Sequence, residues 1–403
     1  MSRRVSTPSA AQIRFVNAAA VYDAMRPLDS CTAKDLMSIT GLSRPTVHTT
    51  CDWLIGQGLV VELDSDPGPD SQPGRPARRY RTNPRAGFVI AVDIRESRIV
   101  AAVADLAGTV CAELAREIET DEELRSQATV HAPAIAAELL ELAGLQARQV
   151  WQVCVSIPAP VQSTGYDPGT AAAYRSSARD VIAELESHLP WPMVAENDAN
   201  LAMIGEQWQG SARDRANAVL LDVCENGFGA GLIVNGALVR GSNGFAGEMT
   251  SVDLLSGMGP SGGVLRKAAQ LGAAAMHESG ALAELAGGDP GNVTTDMIFK
   301  AGDAVSSRVI DEVGAIVARP IAMLATLLDP ELVVICGLPA DAAARLMPAI
   351  ETQTAALYRR LAAPAPELAL AELGGRATVL GAIRRAVVEV ESRLFGASPF
   401  PAA

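Results

Sequence analysis

Cysteine is scarce in this chain, and what there is lies far apart. Six cysteines occur among 403 residues, at Cys31, Cys51, Cys111, Cys154, Cys224 and Cys336, with no Cys-x-x-Cys pair. That spacing excludes a disulfide scaffold and a cysteine-based zinc module, so these residues are expected to be reduced and mostly in the core. Long apolar runs are also missing: none reaches the roughly 18–20 residues that a membrane-spanning helix needs. The N-terminus, Met1-Ser2-Arg3-Arg4, lacks an apolar targeting segment. A soluble cytoplasmic protein without membrane partners is expected. Hydrophobic residues make up 49% of the chain, enough for real cores, and the length suits two or three domains.

A net charge of −13 argues against nucleic acid until it is divided along the chain. Residues 1–85 hold 11 Lys and Arg against 8 Asp and Glu, a net +3, and the remainder holds 22 against 38, a net −16. Only the N-terminal segment has the sign that DNA phosphates attract.

That segment reads as helices. Between Gln12 and Met25, Ile13, Val16, Ala20 and Val21 recur at helical spacing, and Pro27 stops the run. Thr32 caps a second helix over Ala33–Thr40, with Asp35 completing a capping box. Gly41-Leu42-Ser43 is a short turn, and Ser43 caps a third helix that continues to about Gln57. Two helices joined this way form a helix-turn-helix. On the third helix Val47, Cys51, Leu54 and Ile55 share the face that must pack inward. The candidate DNA contacts are therefore Ser43, Arg44, Pro45, Thr46, His48 and Thr49, because the N-terminal residues of a recognition helix meet the base edges first. Gly58–Leu63 and Ala77–Thr82 supply two strands of a wing, which favours a winged helix over a small three-helix interaction domain.

Asp64–Gln72 has the composition of a linker. It leads into Pro73-Gly74-Arg75-Pro76-Ala77-Arg78-Arg79-Tyr80, the densest basic patch of the chain, and adds Arg75, Arg78 and Arg79 to the candidate DNA contacts. Two readings stand side by side: an extended arm that lays Arg75 into a narrow minor groove, or a basic linker that touches phosphates alone.

From Gly87 the pattern becomes α/β. Phe88–Asp93 and Ile99–Asp105 read as strands joined by a hairpin at Arg95–Ser97, followed by a helix over Asp121–Leu142 and a strand Val150–Ile157. A helix Ser177–His188 and a strand Met193–Glu196 come next. Gly227, Gly229 and Gly231 lie between the apolar runs Val219–Val223 and Leu232–Val234, and are expected to form a loop that lets a ligand approach the backbone. Asn235-Gly236 reads as a hairpin turn, and a second cluster follows at Gly241, Gly244 and Gly247. A long helix Val305–Leu328, a strand Leu332–Cys336 and a helix opened by Leu380-Gly381-Ala382 complete the pattern.

Two strings are more specific. Glu196-Asn197-Asp198-Ala199-Asn200 and Asn243-Gly244-Phe245-Ala246-Gly247-Glu248 resemble the ROK family, named for its repressors, open reading frames and kinases. The resemblance runs in order from about Gln12 to about Val387. It implies an N-terminal winged helix-turn-helix on an actin-like, ribonuclease H-like two-lobed sugar-kinase fold of the α/β class. The implied boundaries are 12–63 for the DNA-binding domain, 64–86 for wing and basic linker, 87–196 for one α/β lobe and 197–394 for the other.

The resemblance also implies a sugar site in which Asp198 would be the base of a kinase, Asn197 would hold a neighbouring hydroxyl and Glu248 would close the pocket. From the residues alone, Asn197 or Asp198 equally serves to cap a helix over Ala199–Gln207, and Glu248 is a loop acid. Departures from the family bear on chemistry. Asp93-Ile94-Arg95-Glu96-Ser97 and Glu225-Asn226-Gly227-Phe228-Gly229 stand where kinases carry phosphate-cradling loops, and both have gained a carboxylate. Ser251 replaces a histidine, and no cysteine lies between Cys224 and Cys336, so the family's zinc ligands are gone. Gln162–Arg179 contains no Asn-Leu-Pro-Gly-Trp, the stretch that lies beside the sugar in many relatives.

The expectation is a transcription regulator without kinase activity, metal or other cofactor. It binds double-stranded operator DNA as a homodimer or dimer of dimers and answers to a sugar or sugar derivative. Two alternatives stay open: a DNA-binding dimer whose body is only a scaffold, and an ATP-dependent sugar kinase.

Overall fold

The computed structural model describes residues 9–63, 78–95, 98–117, 121–161, 183, 185–223, 228–249, 263–361 and 364–396. Among them the chain forms two compact units, one drawn from Met1–Val155, Val181–Val194 and Ile383–Ala403, the other from Ser156–Asp180 and Ala195–Ala382.

In the first unit, α1 (Ala10–Met25) begins in a reciprocal cap. The Ser9 hydroxyl accepts from the Gln12 N–H at 3.2 Å, and the Gln12 side chain accepts from the Ser9 N–H at 2.7 Å. Its buried face is Ala18, Val21, Tyr22 and Met25. After the short strand β1 (Cys31–Thr32), Thr32 and Asp35 form the expected capping box of α2 (Ala33–Thr40), and these bonds hold the Asp35 carboxyl below its ordinary range. α2 ends at Gly41, in the left-handed region at φ 72°, and Ser43 caps α3 (Arg44–Gly56) by accepting from the Thr46 N–H. Val47, Thr50, Cys51 and Leu54 are the buried face of α3. β2 (Val60–Leu63) and β3 (Arg79–Thr82) pair antiparallel, and β1 adds to β3 in the order β1-β3-β2. Helix-turn-helix and wing are as the sequence implies.

The α/β part of this unit is a sheet of order β6-β5-β4-β7-β8, built from β4 (Phe88–Arg95), β5 (Arg98–Asp105), β6 (Val110–Glu117), β7 (Val150–Ile157) and β8 (Met193–Asn197), the last two continuing into the second unit. β4, β5 and β6 are antiparallel in succession. The sequence reading lacked β6, whose face is mostly exposed and whose alternation is broken by charges. α4 (Asp121–Ala143) lays Ile135, Ala136 and Leu139 against Ile90, Ile99, Ala101 and Val153.

The second unit opens with α5 (Asp198–Gln209) and a sheet of order β11-β10-β9-β12-β13: β9 (Ala218–Val223), β10 (Phe228–Val234), β11 (Ala237–Leu238), β12 (Leu332–Cys336) and β13 (Glu367–Leu370). β10 and β11 turn through Asn235 and Gly236, both at positive φ, as the Asn-Gly dipeptide predicts. The glycine-loop expectation needs correction: β10 begins at Phe228, so Gly229 and Gly231 lie within the strand. A Cβ on Gly231 would stand 2.5 Å from both the Ala199 carbonyl oxygen and the Met203 Cβ, so this glycine lets α5 lie close on the sheet. Gly227 lies outside the described residues.

The remaining helices are α6 (Val264–Ala275), α7 (Gly280–Leu285), α8 (Thr295–Ala301), α9 (Ala304–Leu328), α10 (Ala340–Leu361) and α11 (Ala377–Phe395). α9, capped by Asp303, shares a core with α6 and α10 that includes Val313, Val317, Ile321, Leu346 and Ile350. Gly381 is a helix-interior residue, four positions into α11, and does not open it. A Cβ there would stand 1.7 Å from the Leu201 carbonyl, so α11 crosses α5 with no room for a side chain.

Candidate functional site

The sequence singles out two places, and each lies within one unit. The first is α3 with its wing. Ser43 and Thr46 share a hydroxyl–hydroxyl contact of 2.8 Å at the start of the helix. Arg44, Pro45 and Thr49 are exposed, and Arg44 has no hydrogen-bond or ion-pair partner among the described residues. Spacing of four puts Arg44 with His48, and Pro45 with Thr49, on neighbouring positions of one helix face. His48 is half-buried, and its Nδ1 lies 3.1 Å from the hydroxyl of Tyr80 in β3.

The basic patch divides. Arg78 reaches both oxygens of Glu62 at 2.7 and 2.6 Å and Asp52 of α3 at 2.8 Å, and it lies 5.3 Å over the Tyr80 ring. Hydrogen bonds to Glu62 first and to Asp52 second raise its pKa further. A guanidinium held by two carboxylates is an internal tie between wing and α3, not the free cation that a run of basic residues suggests. Arg79 is exposed and bonds the Ser30 hydroxyl. Arg75 lies outside the described residues. Strand alternation turns Tyr80 inward and leaves Arg79 and Arg81 exposed. The basic patch ends at Tyr80 and carries no local signal for a hydroxyl facing α3, so the roles of Tyr80 and Arg81 were missed.

The second place is the junction of β8 and α5 with the loop at 241–249. Asn197 does two things at once. Its Oδ1 accepts from the Asn200 N–H at 3.0 Å, capping α5, while its Nδ2 lies 3.4 Å from Glu248 Oε1 and 3.4 Å from the Ala159 carbonyl. One side chain thus caps α5 and at the same time reaches the loop that carries Glu248. Asp198, in the first turn, accepts from the Ala199 N–H at 2.8 Å. The structure thus brings Glu248 to Asn197, with Asp198 next along the chain.

Glu248 is held there by backbone geometry. Gly247 before it has φ 91°, and a Cβ on it would stand 1.9 Å from the Ala230 carbonyl, while the Ala230 N–H donates to the Gly247 carbonyl at 2.8 Å. Only glycine permits that approach. Burial pushes the Glu248 carboxyl above its ordinary range. Behind the site, Glu196 accepts two bonds from Arg240, at 2.8 and 2.6 Å, and one from Asn200 at 3.0 Å. The Glu196 side chain is 2% exposed. Sequence reasoning saw Glu196 as part of a motif and missed Arg240, because nothing local links residues 44 apart.

Glu96, Glu225 and Ser251, on which the loss of phosphate loops and zinc was argued, and the stretch 162–179 lie outside the described residues. Among the described residues no group of three or more His, Cys, Asp or Glu is placed to hold a metal. His277, exposed beside Glu278, offers one imidazole alone, so these residues do not suit a four-coordinate zinc. Among the described residues, no helix is long and apolar enough to cross a membrane.

The sequence pattern described as the ROK family matches residues 89–387. The chain is similar to a glucokinase of Halalkalibacterium halodurans, 31% identical over 214 residues, which covers 49% of this chain and only 64% of that protein. It is similar to the DNA-binding transcriptional dual regulator NagC of Escherichia coli K12, 26% identical over 359 residues and 84% of each chain. Among solved structures it is similar to a ROK family transcriptional regulator that is a homolog of the E. coli MLC protein, with a TM-score of 0.73, 20% identity, and coverage of 95% of this chain and 97% of that one. That likeness establishes the fold.

Proposed function

Because the chain belongs to the ROK family, we propose that it is a transcriptional regulator in which a winged helix-turn-helix binds double-stranded operator DNA and the sugar-kinase-like body senses a sugar or sugar derivative. The observation that carries this reading is the capped α2–turn–α3 pair with its wing, which precedes the matched residues 89–387. Phosphorylating a sugar needs no such head. Similarity to a DNA-binding regulator over 84% of both chains supports the same assignment.

In the body, Asn197, Asp198 and Glu248 offer the donors and acceptors that fix sugar hydroxyls. We assign the domains as 12–63 for DNA binding, 64–86 for wing and linker, and 87–196 and 197–394 for the two lobes of the body. Ligand that binds one arrangement better than another shifts the DNA-binding population accordingly. Paired half-sites about one helical turn apart call for a homodimer, or a dimer of dimers.

The test is binding of the purified protein to a duplex from upstream of its own coding region, with and without a panel of sugars and sugar phosphates. Tight binding altered by one sugar supports the sensor. Tight binding indifferent to every compound favours a body that serves as a scaffold, and absence of binding refutes the regulator. The 31% identity to a glucokinase keeps a kinase reading as the second hypothesis. Glu96 and Glu225, at the positions of the phosphate loops, oppose it. ATP-dependent phosphorylation of any sugar in the panel would establish it.

A further inference from the structure

We propose that Tyr80 is a positioning residue that sets the tautomer of His48, so that the recognition helix presents an Nε2–H donor and selects guanine at the base it faces. The inference rests on the DNA-binding reading and adds to it a residue of the wing that touches no DNA.

Tyr80 is fully buried in the middle strand of the three-stranded sheet, opposite Cys31 on one side and Glu62 on the other. The Arg78 guanidinium lies over its ring. A phenylalanine would fill the same space. What the hydroxyl adds is a bond across to α3, at 3.1 Å from His48 Nδ1. Burial pushes that phenol up to about 12, so it keeps its proton over the working pH range. A buried hydroxyl that donates to nothing is penalised, and the imidazole is the hydrogen-bond partner present. With Nδ1 accepting from Tyr80, the hydrogen of the neutral ring sits on Nε2.

His48 stands one turn into α3, four residues after the exposed Arg44, where recognition helices meet base edges. In the major groove guanine offers two acceptors, N7 and O6, whereas cytosine offers a donor there. Adenine N7 and thymine O4 each offer one acceptor, so an Nε2–H donor matches guanine best, where two acceptors lie side by side, and leaves cytosine's amino group facing another donor. The opposite tautomer would reverse the preference. The assignment of base preference thus passes from α3 to the wing through one hydroxyl, 32 residues away in sequence.

The experiment is selection and sequencing from a pool of randomised 30-base-pair duplexes with three full-length proteins: wild type, Tyr80→Phe and His48→Ala. Thermal melts confirm that each is folded, and His48→Ala, at a half-buried surface position, keeps the test open should Tyr80→Phe misfold. Wild type is expected to enrich a motif with guanine at one position of each half-site. His48→Ala should lose that preference, and Tyr80→Phe should relax it about tenfold, the size of one base contact, while the other positions and the salt dependence stay as in wild type. A Tyr80→Phe profile identical to wild type, or a His48→Ala profile that keeps the guanine, overturns the inference and leaves DNA binding intact. Failure of the wild-type protein to enrich any sequence overturns both.

Discussion

Arg26, which caps the end of α1, and Glu391, near the end of α11, form an ion pair of 2.8 Å in which the glutamate side chain is 11% exposed. Arg384 lies on the other carboxylate oxygen at 3.7 Å. Burial raises the Glu391 carboxyl although both guanidinia act to lower it, and burial lowers Arg384. Desolvation outweighs attraction in this triad, so it is no great source of net stability, yet removing one member strands the others. Glu391→Ala is expected to lower the unfolding free energy by about 3 kcal/mol in urea titration. A change near zero would mean that water compensates the two arginines.

Arg78 and Arg44 should behave oppositely when each is replaced by alanine. Arg78→Ala releases Glu62 and Asp52. Those carboxylates are largely exposed, so the stability loss is expected to stay near about 1 kcal/mol, with weaker DNA binding following from a loosened wing. Arg44→Ala should leave the melting temperature unchanged and weaken DNA binding. If Arg44 touches a phosphate, the slope of log affinity against log salt falls by about 0.9. Anisotropy titrations at several salt concentrations, set beside melting curves, distinguish the two roles.

Glu248 predicts a pH dependence with a definite sign. Burial alone raises its folded pKa above the ordinary 4.5. A group whose pKa is higher in the folded state favours folding fully below its unfolded pKa, and that contribution is lost as pH rises through the folded pKa. Melting temperatures of wild type and Glu248→Gln should therefore diverge as pH rises from 4.5, with the variant the more stable at neutral pH. Parallel curves would show the carboxylate to be well solvated.

Gly247→Ala is expected to damage the proposed sugar site through backbone alone. The new methyl would need a left-handed φ and would meet the Ala230 carbonyl, so the loop carrying Glu248 must move. Destabilisation of more than about 1 kcal/mol should accompany loss of any sugar-induced change in DNA binding. A variant as stable and as sugar-responsive as wild type would show the loop to be tolerant.

Asp198→Asn is expected to separate the proposed sensing from DNA binding. It removes a charge from the first turn of α5 while Asn197 keeps the cap. DNA affinity without sugar should be unchanged, and the sugar effect should fall at least tenfold in apparent affinity, as expected when a charged hydrogen bond to a ligand is lost. Titration of operator binding against the active sugar measures both.

What the sequence determined by itself is what neighbouring residues decide. Thr32 with Asp35, Ser43 with Thr46, and Asn235 with Gly236 sit within three positions of each other, so caps and turns were legible from spacing. The periodic apolar residues of α3 and α9 told which faces turn inward. The motif around Asn197 and Asp198 brought the family with it and pointed to the proposed site. Tertiary structure alone decided what each exposed or charged group meets. The basic run at 73–80 could not reveal that Arg78 answers Glu62 and Asp52, 16 and 26 residues earlier. Gly231 looked like loop because its reason, the approach of α5, comes from a helix some thirty residues upstream. Arg240 joins Glu196, and Tyr80 joins His48, for the same physical reason: local propensity acts over a turn or two, whereas pairing of charges and hydroxyls is set by which surfaces the folded chain brings within hydrogen-bond reach.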